Sequence, residues 1–503
     1  RYGEKPLYYG WQGDAFLFAS ELPSIKAHPL FNAAIDRNVL ALYLRHNCIP
    51  APWSIYRGIF KQMPGTIVRI SRADREPSVT TYWSVQQVID TAAADPFRGS
   101  PDEAVSELEA RLSDAVNGQM MSDVPLGAFL SGGVDSSTIV ALMQRQSTRP
   151  VNTFTIGFDD AVYDESSHAR AVARHLGTNH EELIVSPAHA RDVIPRLSAM
   201  YGEPFADSSQ IPTFLVSQLA RQHVTVSLSG DGGDELFAGY NRYVLTHKLW
   251  KSTSQVPRPL RMMTGRMIAR VSEQRWNTML GPMQRVLPSG LAQVNLGTKL
   301  HKSARVMAAA STRGLYRSLI SHWTHPNDVV IGAHEPETLS SSIHALEHVA
   351  DDVHEMMALD QLTYLPDDIL TKVDRAAMAV SLETRVPLLD HRVAAFAWSL
   401  PLDYLLRDGA SKWPLRQVLY RYVPKALIER PKAGFAVPIG DWLRGPLRDW
   451  AENLLDESRL ISEGFFHPAA IRSKWLEHAR GRRNHEYLLW DVLMFQAWLA
   501  EAR

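Results

Sequence analysis

Short apolar runs bounded by turn residues dominate the first 83 residues of the chain and predict a region rich in β-strands. Two of these runs flank a hairpin-like turn, and a second pair of strands follows an intervening helix. The predicted elements are strands over residues 7–9 and 15–19, the turn over 11–14, a helix over 39–45, and strands over 55–60 and 66–70. Residues 84–101 lose this periodicity and contain alanine, aspartate, glycine and proline, which predicts a linker.

Strands and helices alternate after this linker. A helix is predicted to begin after residues 100–102, because Leu108, Leu112 and Ala115 keep near-helical spacing. Four short apolar strands are then separated by helices that begin near residues 136 and 164, a pattern typical of a parallel sheet covered on both faces. From about residue 240 to residue 503 almost only helical periodicity is present. The four strands are predicted over residues 125–130, 151–158, 181–185 and 224–228.

The composition narrows the class of protein. With 503 residues the chain is long enough for two or three packed units, and 45% hydrophobic with 21% charged residues is the balance of a soluble globular protein. The 53 basic and 54 acidic side chains nearly cancel, so no overall field favours nucleic acid or an anionic membrane as a partner. No apolar run approaches the roughly 18 to 20 residues that a membrane span needs.

Two further features concern the compartment and the start of the chain. Cys48 is the single cysteine, which excludes an internal disulfide and is typical of the reducing cytoplasm. The chain opens at Arg1 without an initiator methionine or a leader pattern, and it continues directly into a predicted strand. We therefore expect the first residues to be a piece cut from within a domain.

A strand, a glycine pair and the start of a helix follow one another over residues 126–143. The strand precedes the sequence Ser-Gly-Gly-Val-Asp-Ser-Ser at residues 131–137. Adjacent glycines let the backbone turn with exposed N–H groups, and the positive helix end faces the same point, so the segment has the geometry of a phosphate cradle. The absence of a Gly-x-x-x-x-Gly-Lys-Ser/Thr pattern disfavours γ-phosphoryl transfer. A bare tight turn is the alternative, but Asp135 favours a phosphate site with a metal between the two negative groups.

A second segment repeats this order one strand later. The strand over 224–228 precedes Ser-Gly-Asp-Gly-Gly-Asp-Glu at residues 229–235, and a helix over 236–240 is predicted to follow. Asp231 and Asp234 lie between glycines at the C-terminal end of a strand, where open α/β sheets bind ligands. A solvated acidic turn that caps a helix is the alternative. An EF-hand is excluded, because the carboxylates have the wrong spacing.

Together these motifs resemble the ATP-pyrophosphatase superfamily, whose members adenylate a substrate and release pyrophosphate. The glutamine-hydrolysing asparagine synthetase branch is indicated by four segments. They are 229–240 (SGDGGDELFAGY), 372–376 (KVDRA), 381–390 (SLETRVPLLD) and 430–435 (RPKAGF). Residues 3–9 and 18–21 are similar to the last third of that family's glutaminase domain. The family's N-terminal cysteine nucleophile and its glutamine-binding motifs have no counterparts here, and Asp231 stands where the better-known branch has glutamate.

This resemblance implies an α/β fold of the adenine nucleotide α-hydrolase type, with a parallel sheet covered by helices on both faces. A large helical region would extend that core, and a β-rich remnant of the glutaminase domain would precede it. The implied domains are the remnant over residues 1–90 and the synthetase over 101–503. Within the synthetase, 101–240 would be the ATP-binding core and 241–503 the mainly helical part.

The resemblance also implies the cofactors ATP and Mg²⁺ and a set of residues that bind them. Asp135 and Asp234 would share Mg²⁺, which neutralises the departing pyrophosphate. The residues implied to bind ATP are Leu130, Ser131, Gly132, Gly133, Asp135, Ser136, Ser137, Ile156, Ser229 and Gly230.

Four residues are implied to act in catalysis. Asp231 would position or deprotonate the incoming ammonium. Lys432 would stabilise charge that builds at the α-phosphate, with a solvated surface lysine on its loop as the alternative. Lys372 and Arg375 are the other two candidates, and for them, as for Glu383, ordinary ion pairs on a helix surface are the alternative.

The implied reaction joins aspartate to AMP and then replaces AMP with ammonia, which in the intact family comes from glutamine. We expect this chain to use free ammonia, in the cytoplasm, with small molecules as partners and a homodimer as a candidate assembly. Related adenylating ligases, such as a β-lactam-forming cyclase or a peptide- or polysaccharide-tailoring amidotransferase, are the alternative. A non-catalytic nucleotide-binding module is disfavoured, because Asp135, Asp231, Asp234 and Lys432 are all present.

Overall fold

The structure is a computed structural model that describes residues 1–71, 75–158, 164, 166–253, 255–271, 275–276, 278–280, 300, 303–304, 306–307, 309, 311–342, 346, 348–429 and 437–502. The strands are β1 (Tyr8–Gln12), β2 (Ala15–Ala19), β3 (Ile59–Lys61), β4 (Thr66–Arg69), β5 (Ser78–Thr81), β6 (Leu126–Phe129), β7 (Asn152–Phe158), β8 (Asn179–Val185), β9 (Val226–Leu228) and β10 (Glu383–Arg385). The α-helices before β10 are Leu22–Lys26, Arg37–His46, Val85–Ala94, Pro101–Met120, Val134–Gln146, Ser166–Leu176, Pro187–Arg191, Ile194–Tyr201, Gln210–Arg221, Gly233–Leu236, Asn241–Thr253, Arg258–Arg270, Thr312–Ile320, Asp352–Leu362 and Thr371–Met378. Those after β10 are His391–Ser399, Leu402–Leu405, Trp413–Tyr420, Lys425–Ile428, Ile439–Arg444, Arg448–Leu454, Glu457–Glu463, Pro468–Ala479 and Glu486–Ala502. A π-helical segment covers Leu365–Leu370, and 3-10 turns cover Pro326–Asp328 and Pro387–Leu389.

A parallel sheet with strand order β10–β9–β6–β7–β8 forms the centre of the molecule. Four of its strands coincide with the apolar runs in the sequence, so the predicted α/β class is confirmed. The fifth strand, β10, pairs in parallel with β9 and was not predicted. It is a polar three-residue edge strand inside a helical region, and an edge strand needs no continuous apolar run because only one side of it is paired.

Helices cover both faces of this sheet, as the sequence predicts. On one face, Phe154 of β7 packs into a core that includes Phe214 of the helix Gln210–Arg221. Ala128 of β6 belongs to a second core, which includes Ile139 of the helix Val134–Gln146. Two layers of helices therefore enclose the strands, and the carboxyl ends of the strands are where such a sheet binds a ligand.

The first 83 residues form two small antiparallel sheets. β1 pairs with β2 on one side and with β3 on the other, and β4 pairs with β5. The strand-rich character of this region agrees with the prediction. The predicted strands over 55–60 and 66–70 do not pair with each other, because β3 joins the first sheet and β4 the second.

Two local predictions are wrong. The predicted linker over 84–101 contains the helix Val85–Ala94, which is capped by Ser84 and buries an apolar stripe against the helix His391–Ser399. The helix predicted over 236–240 ends earlier, because the short helix Gly233–Leu236 is followed by Ala238 with a φ of 53°. Ten residues of amphipathic pattern beside alanine and proline are too short a signal to separate from a linker.

The region beyond β9 is mainly helical. One of its helices contacts both the N-terminal region and the central sheet. On the helix Thr371–Met378, Asp374 pairs with Lys5 at 2.6 Å, while Lys372 faces the carboxyl ends of the sheet. No helix in the described ranges is long and apolar enough to cross a membrane.

Candidate active site

The carboxyl ends of β6 and β9 lie side by side, because these strands are neighbours in the parallel sheet. The loops that follow them therefore reach the same edge, and a cleft of about 350 Å³ opens there. Most of the predicted site residues line it, namely Leu130, Ser131, Gly132, Gly133, Asp135, Ser136, Ile156, Ser229, Gly230, Asp231, Asp234 and Lys372.

The loop after β6 turns sharply into the helix Val134–Gln146. Gly132 has a φ of +72°, and a Cβ there would lie 2.8 Å from the backbone nitrogen of Ala169, so both conformation and space require glycine. Ser131 donates its backbone N–H to Ser136 Oγ at 3.2 Å, which closes the turn. The helix start has no side-chain cap, and such a terminus attracts phosphate through its N–H groups.

The loop after β9 packs closely against the first loop. A Cβ on Gly230 would lie 2.6 Å from the Ser136 nitrogen, and a Cβ on Gly233 would lie 2.4 Å from Asp135 Oδ1. A side chain at Gly230 would therefore collide with backbone, and a side chain at Gly233 would displace the Asp135 carboxylate. Glycine at these two positions therefore lets the loops approach until their carboxylates meet.

The carboxylates of Asp135 and Asp234 converge on one buried cation, the ammonium of Lys412. Lys412 Nζ lies 2.6 Å from Asp234 Oδ1 and makes a short contact with Asp135 Oδ2, and its side chain is 0% exposed. Burial lowers the pKa of Lys412, but the two carboxylates outweigh burial and raise it, so the lysine stays charged. A Cβ on Gly239 would lie 1.9 Å from Lys412 Cε, so this glycine makes room for the side chain.

A pair of carboxylates around a shared cation suits a hard divalent metal. No group of three or more His, Cys, Asp or Glu side chains in the described ranges could hold a metal. Mg²⁺ does not need such a group, because it commonly binds through one or two carboxylates plus phosphate oxygens and water. The donors Asp135 and Asp234 therefore fit Mg²⁺ that arrives with a polyphosphate.

Asp231 lines the same cleft with a carboxylate held by a neighbouring hydroxyl. Ser229 Oγ donates a short hydrogen bond to Asp231 Oδ2. Burial raises the pKa of Asp231, while the Ser229 hydrogen bond and the Lys372 charge oppose the shift. A carboxylate with a raised pKa takes a proton more readily than a solvated one, which suits proton exchange with an amine.

Lys372 is buried beneath the cleft and is not a solvated surface lysine. Its Nζ donates to Asp207 Oδ2 at 2.7 Å. Burial lowers the pKa of Lys372, but the carboxylates of Asp207 and Asp368 raise it, so a positive charge persists at the floor of the cleft.

Three predicted residues lie away from the cleft. Ser137 is fully buried in its helix and does not line the cleft. Arg375 donates to the Ser20 carbonyl at 3.0 Å and pairs with Glu21, so it contacts the N-terminal region. The exposed Glu383 accepts from Arg385 on β10 at 2.7 Å, an ion pair on a strand and not on a helix. Lys432 lies outside the described residues.

Lys412 and Arg416 were not predicted from the sequence. Arg416 lines the cleft and pairs with Glu429 at 2.6 Å. Both residues lie far from the two glycine loops along the chain, and no motif surrounds them. The usable signal was chemical, because two facing carboxylates require a cation. Nothing in the sequence names which lysine supplies it, and the positive φ of 55° at Lys412 is visible only in the structure.

Comparison with known proteins assigns the chain to a family. The family model described as Asparagine synthase matches residues 107–500, which is more than half of the chain. The chain belongs to the asparagine synthase family. A second family model, described as Glutamine amidotransferase domain, matches residues 1–83. The predicted membership in the asparagine synthetase family is confirmed.

Curated relatives match over similar lengths. The glutamine-hydrolyzing asparagine synthetase 1 of Bacillus subtilis is 30% identical over 99% of this chain and 74% of its own length. A putative glutamine-hydrolyzing asparagine synthetase of Mycobacterium bovis is 33% identical over 99% of this chain and 73% of its own length. The amidase chyE of Penicillium rubens is 27% identical over 92% of this chain and 70% of its own length. As a member of this family the chain is a carbon–nitrogen ligase, and its activity is ATP-dependent amidation.

Proposed function

We propose that this chain converts aspartate to asparagine through β-aspartyl-AMP, with ATP and Mg²⁺. The observation that supports this most is the meeting of the Asp135 and Asp234 carboxylates at one buried cation between two glycine loops. Two carboxylates beside an anionic polyphosphate are tolerable only with cations between them. In a member of the asparagine synthase family, this arrangement supports a reaction that releases pyrophosphate.

The cleft offers separate places for the parts of ATP. The turn at Ser131 and the uncapped helix start suit the phosphates, and the apolar side chains of Leu130 and Ile156 suit the adenosine. Mg²⁺ held by Asp135 and Asp234 would neutralise the departing pyrophosphate.

The proposed reaction has two chemical steps. A β-carboxylate oxygen of aspartate attacks the α-phosphorus, and the bond to pyrophosphate breaks. Lys432 is proposed to stabilise the charge that builds there, and Lys372 to hold the attacking carboxylate. Ammonia then attacks the activated carbonyl and AMP leaves. Asp231 is proposed to take the proton from the incoming ammonium.

Free ammonia is the proposed nitrogen source for a polypeptide of this sequence. Glutamine hydrolysis through a cysteine needs a thiolate nucleophile with a base beside it. Cys48 is the single cysteine, it lies between Asn47 and Ile49, and it is buried. Burial raises the pKa of the Cys48 thiol well above its usual value, so this thiol stays protonated.

The test supplies aspartate, ATP and Mg²⁺ with either ammonium or glutamine, and measures asparagine, AMP, pyrophosphate and glutamate. We expect asparagine and AMP in equal amounts with ammonium, and no glutamate above the uncatalysed rate with glutamine. Glutamate formation, or folded protein that makes no asparagine from ammonium, would contradict the proposal. ADP as the product would contradict the adenylate intermediate.

A related adenylating amide ligase is the second candidate, and the resemblance to the amidase of Penicillium rubens favours it. It would use the same ATP cleft with another acceptor. Pyrophosphate release that depends on a carboxylic acid other than aspartate would identify it. The cytoplasm as compartment, small molecules as partners and a homodimer stay predictions for either candidate.

A further inference from the structure

A second cavity of about 230 Å³ lies beside the nucleotide cleft. The segment 207–209 borders both spaces, because Ser208 lines the cavity and Ser209 lines the cleft. Asp207 lines the cavity and pairs at 2.7 Å with Lys372, which lines the cleft. The cavity and the cleft therefore meet at one buried ion pair.

One side of this cavity is acidic and contains a polar atom without a partner. Asp207, Asp367 and Asp368 line it. Asp368 is 1% exposed, its Oδ2 accepts from Asn47 Nδ2 at 3.0 Å, and its Oδ1 has no hydrogen-bond partner among the described residues. A buried polar oxygen left unpaired costs roughly 1 to 3 kcal/mol. A ligand with N–H donors would satisfy it.

Burial and the neighbouring Asp207 carboxylate raise the pKa of Asp368 well above its usual value. A positive group bound against Asp368 would favour the ionised carboxylate and gain a charge-assisted hydrogen bond. The acidic side is therefore chemically matched to an ammonium group.

The remainder of the lining carries donors. Arg242, His322, Thr338 and Ser340 line the same cavity. Such donors match a carboxylate. The cavity is also several times larger than the roughly 30 Å³ that one water occupies. Arg242 pairs with Asp360 through Nε and Nη2, and His322 contacts Asp491, so the Nη1 N–H groups of Arg242 are the donors that make no hydrogen bond among the described residues. A free ammonium ion would pair with Asp368 and leave these N–H groups unused, whereas an α-amino acid carries both an ammonium and a carboxylate.

We infer that this cavity binds the amino-acid head of the acceptor, with the α-ammonium at Asp368 and the α-carboxylate on the side of Arg242. This inference rests on the proposed function, in which the acceptor is aspartate. The aspartate side chain then extends past Asp207 to Lys372, at the floor of the cleft. Neither Asp368 nor Arg242 belongs to the glycine loops, so the residues that select the acceptor are separate from those that bind ATP.

The test uses the full chain and compares Asp368→Asn with Asp374→Asn. Asp374 is a matched control, because it is a buried carboxylate close in sequence that pairs with Lys5 and does not line the cavity. Equilibrium dialysis with labelled L-aspartate and a non-hydrolysable ATP analogue measures binding without turnover. We expect Asp368→Asn to weaken aspartate binding at least about tenfold, which is about 1.4 kcal/mol, with ATP-analogue binding within about twofold of the parent. Asp374→Asn should leave both unchanged.

A second measurement tests the other partner of the proposed contact, the α-ammonium group of the ligand. Succinate is aspartate without its α-ammonium, so the parent should prefer aspartate strongly and Asp368→Asn should lose most of that preference. This ratio is internal to each protein, so incomplete folding of the variant does not imitate the result. Ser340→Met, which fills the cavity from the donor side, should also weaken aspartate binding and spare the ATP analogue.

Three outcomes would overturn the inference. They are unchanged aspartate binding in folded Asp368→Asn, an unchanged preference over succinate, and a rise in the KM for ammonium alone, which would place the free ion in the cavity. A different result would contradict the proposed function while leaving the cavity assignment intact. If aspartate binds and Asp368→Asn weakens that binding while no asparagine forms, the cavity assignment stands and the amidation proposal does not.

Discussion

At the scale of single residues, the site is organised by charges that are buried together. Asp135 and Asp234 can lie side by side because the Lys412 ammonium lies between them. Removing one partner of a buried ion pair leaves an uncompensated charge, which costs more than the pair contributes. The same two carboxylates are the donors proposed for Mg²⁺, so a metal can replace part of what the lysine provides.

Replacing Lys412 tests whether Mg²⁺ can take the place of its ammonium group between the two carboxylates. We expect Lys412→Met to lower the free energy of unfolding by about 3 to 5 kcal/mol, since two carboxylates lose their cation. Mg²⁺ with pyrophosphate should raise the melting temperature of the variant more than that of the parent. Adding Asp234→Asn to the variant is the control and should abolish the extra rise. An equal rise in all three proteins would show that these carboxylates hold no metal.

Glu235, next to the proposed metal site, should make stability depend on pH. Burial, reinforced by the charge of Asp234, raises the pKa of Glu235 from 4.5 to about 8. Between these values the folded state keeps a proton that the unfolded state has released, so the free energy of unfolding falls as pH rises. Glu235→Gln cannot titrate and keeps an acceptor for the Tyr240 hydroxyl, which lies at 2.7 Å. Urea unfolding across this range should show a shallower decline in the variant, and parallel declines would contradict the assignment.

At the scale of elements, the approach of two loops after parallel strands decides the site. Each loop alone is a glycine turn that leads into a helix. Only the adjacency of β6 and β9 brings Asp135 against Gly233, where a side chain at the glycine would collide with the carboxylate. Gly239 likewise lies close to two side chains of the site, those of Lys412 and Asp234.

A methyl group at Gly239 should therefore disturb the site although it removes no charge. Its Cβ would lie 1.9 Å from Lys412 Cε and 2.1 Å from Asp234 Oδ1, so one of them must move. We expect Gly239→Ala to cost about 1 to 3 kcal/mol of stability and to reduce pyrophosphate release at least about tenfold. Gly118→Ala is the control, because no atom lies within 4 Å of its added Cβ in the helix Pro101–Met120. It should raise stability by up to about 1 kcal/mol. Matching behaviour of the two variants would refute the steric argument.

At the scale of the whole molecule, the helix Thr371–Met378 joins the N-terminal region to the cleft. Lys372 lines the cleft, while Asp374 and Arg375 contact residues that precede the synthetase part. Contacts of this helix with the N-terminal region therefore help to fix the position of Lys372, which lines the cleft. Tertiary contacts of this kind explain why neighbouring residues in the Lys-Val-Asp-Arg motif have different surroundings.

Arg375→Ala separates a structural from a catalytic role. The side chain pairs with Glu21 at 3.1 Å and donates to the Ser20 carbonyl, so we expect faster proteolysis and hydrogen exchange within residues 1–83. The KM for ATP should stay within about twofold of the parent, because no atom of Arg375 lines the cleft. A fall in kcat of more than about tenfold with unchanged exchange would instead support the catalytic role that the family resemblance implies.

Much of the fold and of the candidate site could be predicted from short segments. The apolar run of β7 and the glycine turn at Gly132 are local features, since a strand or a tight turn is specified by a few consecutive residues. The helix Val85–Ala94 was missed because its stability comes from packing against a helix about 300 residues later. Arg375 was placed in the site because a motif identifies a segment and not the direction in which each side chain points.

The α/β class, the two glycine loops and the carboxylates they carry can be predicted from the sequence alone, because these features depend on contacts between near neighbours in the chain. The folded chain is needed to see that Lys412 is the cation between Asp135 and Asp234, and that Asp207, which lines a second cavity, pairs with Lys372 in the cleft. Both contacts join residues that are far apart in the chain. Burial and charge strengthen such contacts only after the sheet and helices have brought the partners together, so no local pattern records them.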